Sequence, residues 1–137
     1  MTVTCFCGSV SVSTARRPEF IHACNCDMCR KAGARWGYFD PTEVEINGPT
    51  ACHSRRDKAE AGAEVHFCPA CGSTTHFRMT AAAVARHGDV MAGVNMCLAD
   101  AADLAGIELR YPDGKAWSGE GAFGYYRESR VIGADAL

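Results

Sequence analysis

Long hydrophobic runs are missing from this chain. No apolar stretch approaches the roughly 18 residues that a membrane span requires, so helical membrane insertion is excluded. A dominant charge is missing too: 14 Lys and Arg against 16 Asp and Glu give a formal net charge of −2. That balance supplies no electrostatic case for nucleic acid or an anionic membrane surface as a partner. The opening residues Met1-Thr2-Val3-Thr4 lack the basic and apolar regions of a secretory leader, and a cytoplasmic location is expected. Internal repeats, low-complexity tracts and linker-like composition are also lacking. The 137 residues, 47% hydrophobic and 22% charged, predict one domain over residues 1–130 with a modest core. The tail at 131–137 is expected to be disordered.

Cysteine, by contrast, is abundant. The chain carries nine, an odd number, and with no export signal this argues against a disulfide-stapled scaffold. Seven fall in three clusters: Cys5-Phe6-Cys7, Cys24-Asn25-Cys26-Asp27-Met28-Cys29 and Cys68-Pro69-Ala70-Cys71. Metal binding explains such spacing. Three close cysteines with a remote fourth would also suit an iron–sulfur cluster, but the remaining cysteines pair again elsewhere, which favours zinc. A closed tetrahedral zinc site takes four thiolates, so seven make one closed site and leave a second one ligand short.

Periodicity predicts a mainly β domain with little helix. Residues Val3 to Ser13 alternate as a strand, with Val10 and Val12 on one side and Ser9, Ser11 and Ser13 on the other. Further strands are expected at Glu19–Ala23, Trp36–Phe39, Val44–Ile46, Val65–Phe67, Thr74–Met79, Asp89–Cys97 and Ile107–Tyr111. Helical turns are expected at Cys29–Ala34, Thr80–His87 and Ala99–Leu104, and Ser54–Gly62 reads as a polar loop.

The pentad Cys68-Pro69-Ala70-Cys71-Gly72 is a strong zinc signal, because a two-residue spacer lets both sulfurs reach one ion and the glycine permits the turn. Cys5 and Cys7 on a flat strand would stand about 6.5–7 Å apart. Tetrahedral zinc wants sulfurs only about 3.8 Å apart, so the chain must bend there, where Gly8 allows it. Two partitions fit the spacing. In one, Cys5, Cys7, Cys68 and Cys71 close a site and leave Cys24, Cys26 and Cys29. In the other, Cys26, Cys29, Cys68 and Cys71 form a ribbon-type site and leave Cys5, Cys7 and Cys24. The ribbon's usual interval of about 15–20 residues is much shorter than the one here, which favours the first.

The order Cys5-x-Cys7-Gly8, then Cys24-x-Cys26-x-x-Cys29-Arg30, then Phe67-Cys68-x-x-Cys71-Gly72 resembles the glutathione-dependent formaldehyde-activating enzyme family, which includes centromere protein V. The resemblance runs from about Cys5 to Trp117. It implies a β-tent fold of small stacked antiparallel sheets organised around zinc. It also implies structural zinc on Cys5, Cys7, Cys68 and Cys71, and a second, reactive zinc on Cys24, Cys26 and Cys29. The chain departs from the family pattern at Arg30-Lys31-Ala32-Gly33, where many members carry a small hydroxyl residue before the glycine.

Three thiolates give bound zinc a net charge of −1, so it polarises a water less than a three-histidine site would and suits a soft incoming thiol. The resemblance implies that this thiol is glutathione or a relative, that the electrophile is formaldehyde or a similar aldehyde, and that the activity is that of a carbon–sulfur lyase running as a synthase. A non-catalytic thiol carrier and a structural interaction module are the alternatives. Arg30 and Arg35, and less so Lys31, flank the middle cluster and are candidates for gripping substrate carboxylates. His22 and His66 each precede a cysteine by two residues and, with Cys52, are candidates to fill the vacancy; as a bland alternative they pack. Cys52 and Cys97 read as inert thiols, Arg55-Arg56-Asp57-Lys58 as exposed loop, and Trp36, Tyr38, Phe39 and Trp117 as core or pocket wall.

Overall fold

The computed structural model describes residues 1–133. It is mainly β, in two sheets, and its longest helix has 7 residues. The smaller sheet has the order β1-β2-β5, from Thr2–Thr4, Ser11–Thr14 and Val44–Asn47. The larger has eight strands. Its centre comprises β3 (Phe20–His22), β4 (Trp36–Phe39), β9 (Ala92–Asn95) and β8 (Thr74–Met79). One flank continues through β7 (Ala63–Phe67) to the edge strand β6 (Ala51–Ser54), and the other through β10 (Glu108–Pro112) to β11 (Tyr125–Val131). Pairing is antiparallel except between β10 and β3, which run parallel.

The short helices are α1 (Asp27–Lys31), α2 (Ala81–His87) and α3 (Ala101–Leu104). Thr80 caps α2 by accepting from Ala83 N at 3.2 Å, which satisfies one amide that the first helical turn leaves free. No helix among the described residues is long and apolar enough to cross a membrane.

Strands β4 and β8 occupy the residues that alternation predicts. The strand expected over Val3–Ser13 is instead a hairpin. Val10 and Val12 are both 1% exposed as the alternation requires, but the turn at Cys5–Gly8 breaks the run into β1 and β2. The expected strand Asp89–Cys97 is shortened to β9, because Asn95 starts a 3-10 turn over Met96–Leu98. Two strands escaped the sequence reading. β6 ends at Ser54, inside the predicted loop, and β11 is exposed along its whole length. The disordered tail expected from 131 meets order at its start. Val131 ends β11 and Ile132 is buried at 2% exposure, while 134–137 lie outside the described residues.

The main core gathers Val3 and Val12 from the small sheet with Ile21, Phe39, Val94 and Leu109 from the large one, and Leu104 of α3 closes it. Each such side chain contributes about 1.5–3 kcal/mol by leaving water. A second cluster joins Cys26 and Cys29 to Ala34, Trp36, Val65 and Phe77. Asn95 spans the gap between strands: its Oδ1 accepts from Arg35 N and Cys97 N, both at 3.1 Å, and its Nδ2 donates to Thr74 O at 2.9 Å. Those bonds fix where the chain leaves α1 and enters β4.

Candidate metal centres and the cavity above them

The first centre is built by two facing turns. Gly8 N donates to Cys5 O at 2.9 Å and Gly72 N to Cys68 O at 2.8 Å. Both glycines hold positive φ, 77° and 75°, a region that side chains disfavour. The turns curl Cys5, Cys7, Cys68 and Cys71 until their sulfurs all lie within 4.8 Å of one another. Cys7 Sγ stands 3.6 Å from Cys5 Sγ and 3.7 Å from Cys68 Sγ. Those separations match the roughly 3.8 Å edge of a tetrahedral zinc–sulfur site. Val10 N donates to Cys5 Sγ at 3.2 Å, and Ser9 and Ser73 hydroxyls sit 3.2 Å from Cys7 and Cys71 Sγ. Such contacts stabilise thiolates. Because one turn joins β1 to β2 and the other β7 to β8, a metal ion held by all four sulfurs would staple the two sheets together.

The second centre is local. Cys26 occupies the N-cap position of α1 and Cys29 lies three residues on, so both sulfurs share one face, and Cys24 returns from the end of β3 to join them within 4.8 Å. Cys26 is drawn well below an ordinary thiol by the hydrogen bond from Cys24, while Cys24 and Cys29 are pushed up, Cys24 chiefly by Cys26 and Cys29 chiefly by Cys24. Three sulfurs packed this closely cannot all carry charge without a cation among them, which suits them to a metal ion. Buried Trp36 donates its indole Nε1–H to Cys29 Sγ at 3.2 Å. Trp36, expected as core or pocket wall, is buried at 1% exposure, and nothing in the sequence distinguishes an indole that only packs from one that also donates.

A loop seals one flank. Asn25 Nδ2 donates to Asp113 Oδ1 at 2.7 Å, and Lys115 N donates to Asn25 Oδ1 at 2.9 Å. This seats Gly114 against the cysteines so closely that a Cβ there would lie 2.4 Å from Cys24 Sγ.

Above Cys24, Cys26 and Cys29 opens a cavity of about 940 Å³. Phe20, Tyr38, Phe77, Trp117 and Phe123 line it, with Arg55, Lys58 and Arg86 at its polar side. Arg55 pairs with Asp57 at 2.7 Å, Lys58 lies 5.6 Å from the Trp117 ring centre, and Arg86 pairs with Glu60. Neither Arg30 nor Arg35 lines the cavity: Arg30 is surface-exposed beside Asp27 at 3.4 Å. Arg55, read as exposed loop in the sequence, keeps only 17% of its side chain exposed.

His22 and Cys52 are not in the three-cysteine group. His22 lines the cavity with Nδ1 3.2 Å from Tyr38 Oη; burial lowers its pKa to about 4, so the ring is neutral at pH 7. Cys52 gathers instead with Glu64 and His66.

A family model described as glutathione-dependent formaldehyde-activating enzyme matches residues 1–105. The chain belongs to that family. The matched span contains all seven clustered cysteines. The chain is also similar in fold to a crystal structure of a Rhodobacter sphaeroides protein. The TM-score is 0.56 at 23% identity, with 72% of this chain and 86% of that chain covered. No curated protein matches this family member.

Proposed function

We propose that the protein is a zinc-dependent carbon–sulfur lyase, acting as a synthase, that joins a thiol such as glutathione to formaldehyde or a similar aldehyde. The carrying observation is that Cys24, Cys26 and Cys29 converge beneath a cavity of about 940 Å³ as a three-donor group. Cys5, Cys7, Cys68 and Cys71 would hold the structural zinc, and Cys24, Cys26 and Cys29 the second. Bound there, zinc supplies Lewis acidity to a soft fourth ligand.

The chain's own residues do the rest. The aromatic walls exclude water and hold the aliphatic body of the thiol. Arg55 and Lys58 grip its carboxylate, a role we move to them from Arg30 and Arg35 because they border the cavity. Trp36 holds Cys29 in place and Gly114 leaves space for Cys24. In the overall addition one carbon–sulfur bond forms, the carbonyl π bond opens, and the thiol proton ends on the former carbonyl oxygen. No electrons are gained or lost overall.

The test compares formation of the S-hydroxymethyl thiol from glutathione and formaldehyde with and without zinc-loaded protein. A rate above the uncatalysed addition, lost in Cys26→Ser, supports the reading. Zinc-dependent glutathione binding without rate enhancement rejects catalysis and leaves a carrier.

A further inference from the structure

A third group of metal-type ligands stands apart from both centres, at the edge of the large sheet. Cys52 on β6 lies directly opposite His66 on β7, and Glu64 is two residues before His66 on the same face. One ligand atom from each of the three comes within 4.8 Å of the other two.

The surroundings prepare His66 as a ligand. Its Nδ1 lies 3.2 Å from Thr50 Oγ1, and its ring stacks on buried His76 with centroids 4.4 Å apart and planes 16° from parallel. His76 is itself anchored, with Nδ1 3.0 Å from Thr75 Oγ1. When Nδ1–H is donated to Thr50, Nε2 carries a lone pair, the arrangement by which neighbouring groups fix a metal-binding imidazole. That Nε2 is buried without a hydrogen-bond partner, and it faces Glu64 Oε1 at 3.4 Å. In that tautomer a lone pair and a carboxylate oxygen face each other, an arrangement that a cation between them would relieve. Cys52 Sγ is on the same spot, and its exposure gives an ion a path in.

We propose that Cys52, Glu64 and His66 form a third, exchangeable site for a borderline divalent cation, zinc in the first place. One sulfur, one imidazole nitrogen and one carboxylate oxygen suit zinc, with water completing the tetrahedron. With one thiolate instead of three or four, the site binds more weakly than the two cysteine centres. An ion there ties the edge strand β6 to β7 by side chains as well as by backbone bonds.

The experiment uses the full chain, first loaded with zinc and then dialysed against buffers of graded free Zn²⁺, with metal per chain measured by mass spectrometry. Wild type is expected to gain a weaker step that brings it to about three ions per chain, and Cys52→Ala to stop at about two. In parallel, free zinc at about ten times the dissociation constant slows alkylation of Cys52 about tenfold and leaves exposed Cys97 unaffected. Cys52 is exposed on an edge strand, so Cys52→Ala leaves the fold intact. Equal zinc content in wild type and Cys52→Ala, or Cys52 alkylation indifferent to zinc, overturns the proposal. Neither readout depends on turnover, so failure of the enzymatic reading leaves this one standing.

Discussion

Replacing Gly114 by alanine isolates the second centre from the rest of the fold. The added Cβ would meet Cys24 Sγ at 2.4 Å, about 1 Å short of an ordinary contact, and Cys26 Cβ at 3.3 Å. Gly114 has no positive φ, so backbone strain does not enter. Relief requires either that Cys24 moves or that the loop lifts. The loop is held by the Asn25–Asp113 bond at 2.7 Å and by Lys115 N on Asn25 Oδ1 at 2.9 Å. Metal–sulfur distances tolerate only about 0.2 Å, so either movement spoils the three-sulfur geometry. Overpacking of this kind costs about 1–3 kcal/mol, which converts to about 5- to 150-fold weaker zinc at this centre. The assay is competition against a chromophoric chelator, with total zinc per chain counted separately; the Cys5, Cys7, Cys68 and Cys71 centre keeps its ion. Gly124→Ala is the control, since a Cβ there meets nothing within 4 Å. If Gly114→Ala holds both ions with wild-type affinity, the steric argument is refuted.

Other perturbations separate further parts of the argument. Trp36→Phe removes the N–H directed at Cys29 and keeps most of the ring, so zinc affinity at the second centre should fall about 10- to 100-fold in the same competition assay. Asn95→Ala deletes three part-buried hydrogen bonds, and at about 1 kcal/mol each a loss of up to about 3 kcal/mol should appear in urea as a lower midpoint with an unchanged slope. His76, whose pKa burial lowers from 6.5 to about 3, stays neutral in the native protein while the unfolded chain takes up a proton. Its contribution to stability is therefore complete above pH 6.5 and lost as the pH falls towards 3, at up to about 1.4 kcal/mol per unit. His76→Phe should flatten that part of the stability profile relative to wild type, whereas an identical slope in both proteins would show that His76 does not carry it.

What the sequence made legible was whatever depends on local spacing. The bend at Cys5–Gly8, the turn at Cys68–Gly72 and the three-cysteine wrap all follow from ligand reach over a few residues, and the observed geometry agrees. β4 and β8 were readable because their residues alternate or run apolar. β11 gave no such cue, since Tyr125–Val131 is exposed throughout and is held by its backbone ladder to β10. The cavity wall was readable only in part, because it depends on which distant segments meet. Arg55 comes from the β6–β7 loop and Trp117 from the stretch after β10, whereas Arg30, adjacent to the cysteines in sequence, turns to the surface. His66 and Cys52, each considered as a completing ligand for the second centre, meet each other across a strand pair that sequence spacing did not reveal.

The staple between the sheets also sets a timetable for synthesis. Cys7 and Cys68 touch across 61 positions of chain. Bridging them through zinc closes a loop whose entropy, treated as a cross-link, is worth about 4 kcal/mol. At ribosomal rates of about 5–20 residues per second, the first two cysteines appear about 3–12 seconds before their partners exist. During that interval Cys5 and Cys7 are a bare dithiol on a nascent chain, open to oxidants and to any passing soft metal. With zinc at this centre as proposed, the yield of correctly folded protein should depend on the redox state and free-zinc level around the ribosome as well as on the finished sequence. Cells short of zinc, or under oxidative stress, should accumulate chains that are intact in sequence yet never joined their two sheets.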